Sequence, residues 1–324
     1  MNLSTTSSPH VKGKNSTARI MRDVVIALLP ALIVGVVVHG PRALVITLIS
    51  IAACLVAEGL VNAVFHRPNT LHNGSAVVTG MLLAMTLPAS VELWLPAVGG
   101  FFAMIVVKGF FGGLGQNIFN PALAARAFLL LLWPTQMVRY AALGENLPLV
   151  SSAADVVSSA TPLHHMQIPA LPETSILNMF LGNMAGSIGE ISALAILIGG
   201  VYLLARRVIS IRIPAAYLGT VAVVTFVFSN GQPHLSWMLA NLFGGGLMLA
   251  AFFMATDYAT SPVTPVGQVA YGIGCGLLTV LFRRFGLFPE GVTYAILLMN
   301  AAVWLLDQLT VPRRFGAVKG GAAK

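Results

Sequence analysis

The sequence predicts an all-α polytopic membrane protein of about ten transmembrane helices, arranged as two inverted five-helix repeats. Composition, the spacing of apolar segments and the placement of basic residues carry that expectation. Of 324 residues, 57% are hydrophobic and 9% charged, and the mean hydropathy is +0.86. A soluble domain carries about 25% charged residues, so this chain has too few to cover a water-facing surface. Disorder, a coiled coil and a soluble enzyme are excluded at this step. The net charge of +8, from 18 Lys+Arg against 10 Asp+Glu, then points to loops facing anionic lipid rather than to nucleic acid.

Residues 1–22 are polar and basic, with Lys12, Lys14, Arg19 and Arg22. They lack the apolar region and small-residue cleavage site of a signal peptide, and a cytoplasmic tail is expected. Ten apolar segments follow, near 24–38, 43–65, 75–90, 92–107, 121–133, 189–205, 213–229, 235–255, 268–282 and 291–306. Five make a first unit at 23–133. A long polar stretch at 134–188 reads as an outer, periplasmic loop. Five more segments make a second unit at 189–310, and 311–324 is a cytoplasmic tail. Several segments fall short of the roughly 20 apolar residues a full span needs. Pro or Gly interrupts the chain near Pro88, Pro96, residues 112–115 and residues 262–265. Broken backbone at membrane depth survives only where protein buries it or it lines a cavity, so these breaks are where a site is expected.

Basic residues set the orientation. With the N-terminus inside, the cytoplasmic segments hold Lys12, Lys14, Arg19, Arg22, Arg67, Lys108, Arg206, Arg207, Arg212, Arg313, Arg314, Lys319 and Lys324. The outer loops hold Arg42, Arg139, Arg283 and Arg284, and Arg126 lies within the fifth segment. Thirteen against four is a clear positive-inside bias. Both termini are therefore expected inside, and the Arg283–Arg284 pair is expected to meet a partner subunit. The stretch 80-GMLLAMTLPAS-90 resembles 250-AAFFMATDYATS-261 at an offset of 170 residues. Because five is odd, two five-helix halves must be inverted, and inverted repeats place working sites at discontinuous helices between them. Chance similarity between apolar stretches explains the match equally well.

Three groups of residues could carry chemistry. The loop 151-SSAADVVSSATPLHHMQIPA-170 contains Asp155, Ser158, Ala160 and Thr161 in the spacing D-x-x-S-x-A-T. That pattern suits attachment of a flavin through its phosphate: the Thr hydroxyl attacks a flavin dinucleotide pyrophosphate and becomes a phosphoester. An accessible chain, small neighbours and a nearby acid are required, and the modifying enzyme brings the base. An ordinary Ser/Ala-rich loop is the plain alternative. His164 and His165 lack a third ligand and read as loop residues. Cys54 and Cys275 lie in apolar runs without metal or disulfide spacing, and two thiols are too few for an iron–sulfur cluster.

The second group is 108-KGFFGGLGQNIFNPALAARAF-128. Its glycines let backbone approach a ligand closely, and the amides of Asn117 and Asn120 suit the edge of a planar heterocycle. Pro121 fits a first helical position. A glycine-rich turn with Asn caps accounts for the residues equally well. The third group is the intramembrane ionisable set, which is a functional hypothesis by default: Glu58, Asp257, Arg126 and Asp307. Glu58 and Asp257 could pass a cation; a structural pair with Arg126 is the alternative. Asp307 reads as interfacial, with Arg313 and Arg314 close behind.

With these in view the chain resembles the RnfD family, the D-type membrane components of the Rnf ion-translocating oxidoreductase complexes. A relative of that family is the NqrB component of the sodium-pumping NADH:quinone oxidoreductase. The resemblance covers nearly all of residues 20–310. Its specific parts are 108-KGFFGGLGQNIFNPALAARAF-128, 155-DVVSSATPL-163 and 253-FMATDYATSP-262. It implies ten helices in two inverted repeats and covalent FMN on Thr161 at the outer face. It also implies a second, non-covalent flavin, riboflavin in the sodium-pumping relative, lined by Asn117 and Asn120, and a cation path through Glu58 and Asp257. Ser159 stands where Gly is usual in the attachment motif, and Asn73 stands where the sodium-pumping relative has an acid.

The expected protein is thus a membrane component of a respiratory complex, multi-pass in the bacterial inner membrane. Electrons would move between ferredoxin and NAD through its flavins, coupled to Na⁺ or H⁺ translocation. Its partners would be the other Rnf subunits, a flavin transferase and membrane lipid. No dinucleotide-binding fingerprint follows a strand-like segment, so NADH chemistry is expected in another subunit. A channel or secondary transporter without redox chemistry, or a structural anchor for partner subunits, are the competing readings.

Overall fold

The computed structural model describes residues 16–67, 70–142, 147–149, 158–159, 170–172, 174–229, 231–286 and 291–311. All ten apolar segments are helical. In the first half they are α1 (Thr17–His39), α2 (Pro41–Val64), α3 (Ser75–Met85), α4 (Trp94–Gly109) and α5 (Pro121–Leu132). In the second half they are α6 (Ala193–Ala205), α7 (Arg212–Val227), α8 (His234–Phe243) with α9 (Leu247–Met254), α10 (Pro265–Phe285) and α11 (Val292–Thr310). The chain is an all-α, multi-pass membrane protein: four of these helices are long and apolar enough to cross a bilayer alone, and the α8–α9 pair makes a fifth. The remaining helices have 10–17 residues. A helix such as α5, with 12 residues, is about 18 Å long against a hydrocarbon core of about 30 Å.

Local signals explain the boundaries. Ser16 accepts a hydrogen bond from the Arg19 amide and caps α1. Gly40 then turns the chain with φ at 77°, a left-handed value that glycine adopts without strain. Pro41 restarts the helix at its first position, so α1 and α2 form a hairpin with one residue between them. Gly74, with φ at 74°, opens α3 in the same way. Both α4 and α9 finish as π-helix, over Phe102–Gly109 and Ala250–Met254. Pro96 sits within the first turns of α4 and is no break, contrary to the sequence reading. A break was missed instead: residues 244–246, inside a segment read as continuous, separate α8 from α9 with a 64° bend.

Contacts put one set of helix ends together. Arg206, just past α6, pairs with Asp23 near the start of α1 at 3.2 Å. Ser210 bonds Gln268 in the first turn of α10, and Thr264 bonds Thr310 at the end of α11. The start of α1 and the end of α11 therefore share one end of the molecule. The two halves meet along α1 and α6 at backbone distance. A Cβ on Gly199 would lie 2.0 Å from the Ala27 carbonyl oxygen, and one on Gly35 would lie 2.3 Å from that of Ile188. Close approach through small residues is how helices associate where lipid offers no hydrophobic driving force.

The broken segments are satisfied internally. Ile188 and Gly189 amides donate to the Leu87 and Met85 carbonyls, joining the unwound chain of one half to that of the other. Arg42 is fully buried, and its guanidinium donates to Ala89 O at 3.0 Å and Val91 O at 2.9 Å. Arg283, also buried, donates to the carbonyls of Asn241 and Gly244. The sequence had placed both arginines in outer loops and expected Arg283 to face a partner subunit. They are braces within the chain, because the carbonyls freed at each helix break need donors where water is absent. Large apolar side chains left exposed, such as Val37, Leu48 and Trp304, lie on the long helices, as a lipid-facing surface requires.

Candidate functional site

A cleft of about 760 Å³ opens between the two halves, near the start of α1. Its walls come from the first turns of α3 and α5, the end of α4, and the chain that follows α9. Ser75, Lys108, Asn117, Asn120 and Asp257 all line it. Of the breaks expected from the sequence, the one at residues 112–115 reaches this cleft through Leu114, whereas residues 262–265 are not among its lining. The starts of α3 and α5, the positive ends of their helix dipoles, lie at this cleft.

The two asparagines do different things. Asn120 is the N-cap of α5: its Oδ1 accepts from the Ala122 and Leu123 amides, at 3.1 and 3.3 Å. Its Nδ2 donates to Met254 O at 3.2 Å, so one amide ties the start of α5 to the end of α9 across the two halves. Both ends of that side chain are thereby used within the protein. Asn117 is buried, and its Nδ2 donates to Phe119 O at 3.1 Å.

The ionisable residues pair in a way the sequence did not show. Glu58 accepts from Lys108 Nζ at 2.7 Å and from Thr70 Oγ1 at 3.0 Å. The same ammonium donates to Ser75 Oγ at 2.7 Å. Arg126 meets neither Glu58 nor Asp257; it pairs with Glu190 at 2.9 Å, deep between the halves. Glu190 borders a smaller cavity of about 250 Å³ with Thr86, Thr293 and Gly246. Asp257 is half-buried and accepts from Thr260 Oγ1 at 3.2 Å. Asp307 accepts from the Val263 amide at 3.0 Å, capping a loop. Lys108 and Glu190 were overlooked as intramembrane charges; each sits at the edge of an apolar segment, which was the available signal. Cys54 and Cys275 are buried free thiols on α2 and α10.

Asp155, Thr161, His164 and His165 lie outside the described residues. Ser158 and Ser159 form a two-residue antiparallel pairing with Tyr140–Ala141, Tyr140 opposite Ser159. These two residues of the D-x-x-S-x-A-T stretch thus lie beside the chain that follows α5. Among the described residues no group of three or more His, Cys, Asp or Glu could hold a metal.

Broken helices, a cleft between two helical halves and buried ion pairs beside it define a polytopic membrane protein of the carrier or pump type. The chain belongs to the NQR2, RnfD, RnfE family, whose model matches residues 4–316. It is 47% identical over 322 residues to the D subunit of the Na(+)-translocating ferredoxin:NAD(+) oxidoreductase complex of Acetobacterium woodii, covering 98% of this chain and 97% of that one. It is 41% identical over 325 residues to the D subunit of the proton-translocating ferredoxin:NAD(+) oxidoreductase complex of Clostridium ljungdahlii, covering 96% and 95%. The D subunit of the ion-translocating oxidoreductase complex of Halorhodospira halophila is 38% identical over 346 residues, with 98% and 96% covered.

Proposed function

We propose that this chain is the D-type membrane component of an ion-translocating ferredoxin:NAD oxidoreductase complex, and that it works only in assembly with the other subunits. The observation that carries this is similarity over nearly the whole length to proteins so named, at up to 47% identity. Two of those relatives are named for different ions, sodium and protons, so family membership leaves Na⁺ and H⁺ equally open. The positive-inside bias supports cytoplasmic termini in a bacterial inner membrane, and the shared end of α1 and α11 agrees with it.

The reading includes covalent FMN on Thr161, installed by a flavin transferase that recognises Asp155 and Ser158. It also includes a second, non-covalent flavin in the cleft between the halves. A bound flavin supplies one- and two-electron transfer. The cleft offers the Asn117 amide, hydroxyls such as Ser75 and Thr256, and the rings of Phe252 and Phe253. Asn120 takes part by holding α5 against α9, because its amide is already committed. Glu58 and Asp257 are the carboxylates that would hold a cation in transit; charge in a low-dielectric site attracts a counter-charge several-fold more strongly than in water. Lipid and the remaining Rnf subunits are the proposed neighbours, and 23–133 and 189–310 the two inverted units.

The test is flavin fluorescence of the denatured chain on a gel, from its native host, beside a Thr161→Ala variant. A fluorescent band that vanishes in the variant supports the tethered flavin. A dark wild-type band, with an active flavin transferase shown to be present, removes it.

A further inference from the structure

Lys108 stands between two environments. Its ammonium touches Glu58 and Ser75 at 2.7 Å each, while its side chain also forms part of the cleft wall beside Asn117. It is carried on the π-helical end of α4, a distortion that is frequent at functional sites. Glu58 is only half used: Oε1 receives both Lys108 and Thr70, whereas buried Oε2 has no partner among the described residues. The other charged group lining the cleft is Asp257, from the opposite half of the chain. An ammonium on a flexible four-carbon stem, unlike a guanidinium fork, exchanges partners readily.

We propose that Lys108 is a movable counter-ion, turning from Glu58 into the cleft when a ligand there gains negative charge and so releasing Glu58 to take up a small cation. This rests on the reading that the cleft holds a flavin. No covalent bond in the chain forms or breaks. Electrons reach the ligand from the ferredoxin side of the complex, the ammonium changes partner, and Na⁺ or H⁺ replaces it at Glu58. Passing the electrons on to NAD reverses the exchange and expels the cation. Asp257 attracts the same ammonium from across the cleft and assists its outward turn.

The experiment is redox titration of the flavins in the purified whole complex at low and high Na⁺ or at two pH values, for wild type, Lys108→Gln and Glu58→Gln. Lys108→Gln removes the counter-ion, and reduced flavin is expected to be held at least tenfold less tightly relative to oxidised flavin. For a two-electron couple that is a fall of about 30 mV. Glu58→Gln leaves Lys108 free to face the cleft, and an opposite shift of similar size is expected. In both variants the cation dependence of the potential disappears. A static pair would also move the potential in opposite senses by its charges alone, but it would leave the cation dependence in place, and that readout separates the two. If Lys108→Gln fails to assemble, Lys108→Arg, which keeps the charge but replaces the compact ammonium with a planar fork, decides by the same loss of cation dependence. Wild-type complex with no acid-extractable flavin overturns the cleft reading together with this inference. Flavin-loaded variants with wild-type potentials and unchanged cation dependence overturn the counter-ion alone.

Discussion

The two buried ion pairs of this protein use the same charges to different ends. Lys108 and Glu58 meet at the wall of the large cleft, with hydroxyls of Ser75 and Thr70 completing the group. Arg126 and Glu190 meet deeper between the halves, against the break that separates α8 from α9. There a Cβ on Gly246 would lie 2.4 Å from Glu190 Oε1, so the carboxylate is packed directly on backbone. The first pair joins a mobile point charge to a carboxylate with local hydroxyl support. The second locks a planar cation in place. The type of cation and its place in the fold together set the two pairs apart.

Breaking the deep pair should therefore have the largest effect. Arg126→Met leaves Glu190 buried without its counter-charge, and a loss of about 3–5 kcal/mol is expected, read as thermal unfolding of the detergent-solubilised complex. Adding Glu190→Gln to the same chain should recover much of that loss. Gly246→Ala should follow, at about 1–3 kcal/mol, because the new methyl displaces the carboxylate; the same thermal assay reads it. Lys108→Met is expected to destabilise less than Arg126→Met, since the Thr70 hydroxyl still donates to Glu58. If Lys108→Met proves the more damaging by unfolding temperature, the contrast between the two pairs is wrong. Asn120→Ala removes an N-cap and should cost about 0.5–2 kcal/mol. The smallest effect belongs to Arg206→Ala at the exposed rim, where an ion pair with Asp23 is worth at most about 1 kcal/mol.

Much of the architecture was legible because apolar length and basic residues report on it directly. All ten segments are helices, and Asn120 followed by Pro121 announced the start of α5. The 244–246 break was hidden because three glycines barely lower hydropathy within a long apolar run. The ion pairs were hidden for another reason. Lys108 lies 50 residues from Glu58, and Arg126 lies 64 from Glu190, so only the packing of helices joins them. Arg42 and Arg283 looked like loop charges because a sequence shows which residues are basic but not which broken helix will need their donors. The D-x-x-S-x-A-T spacing was legible as a pattern, and the pairing of Ser158–Ser159 with Tyr140–Ala141 was not.

The crossing of α1 and α6 constrains how such a protein can move. Gly199 of α6 meets the Ala27 carbonyl of α1, Gly35 of α1 meets Ile188 in the chain that leads into α6, and Asp23 with Arg206 adds a third contact near the helix ends. A seam fastened at three heights works as a weld, not as a hinge. Rocking one half against the other would have to tear it open, whereas rotating a single lysine about its side-chain bonds leaves it untouched. Transport built on this frame is a matter of small swings inside a fixed casing.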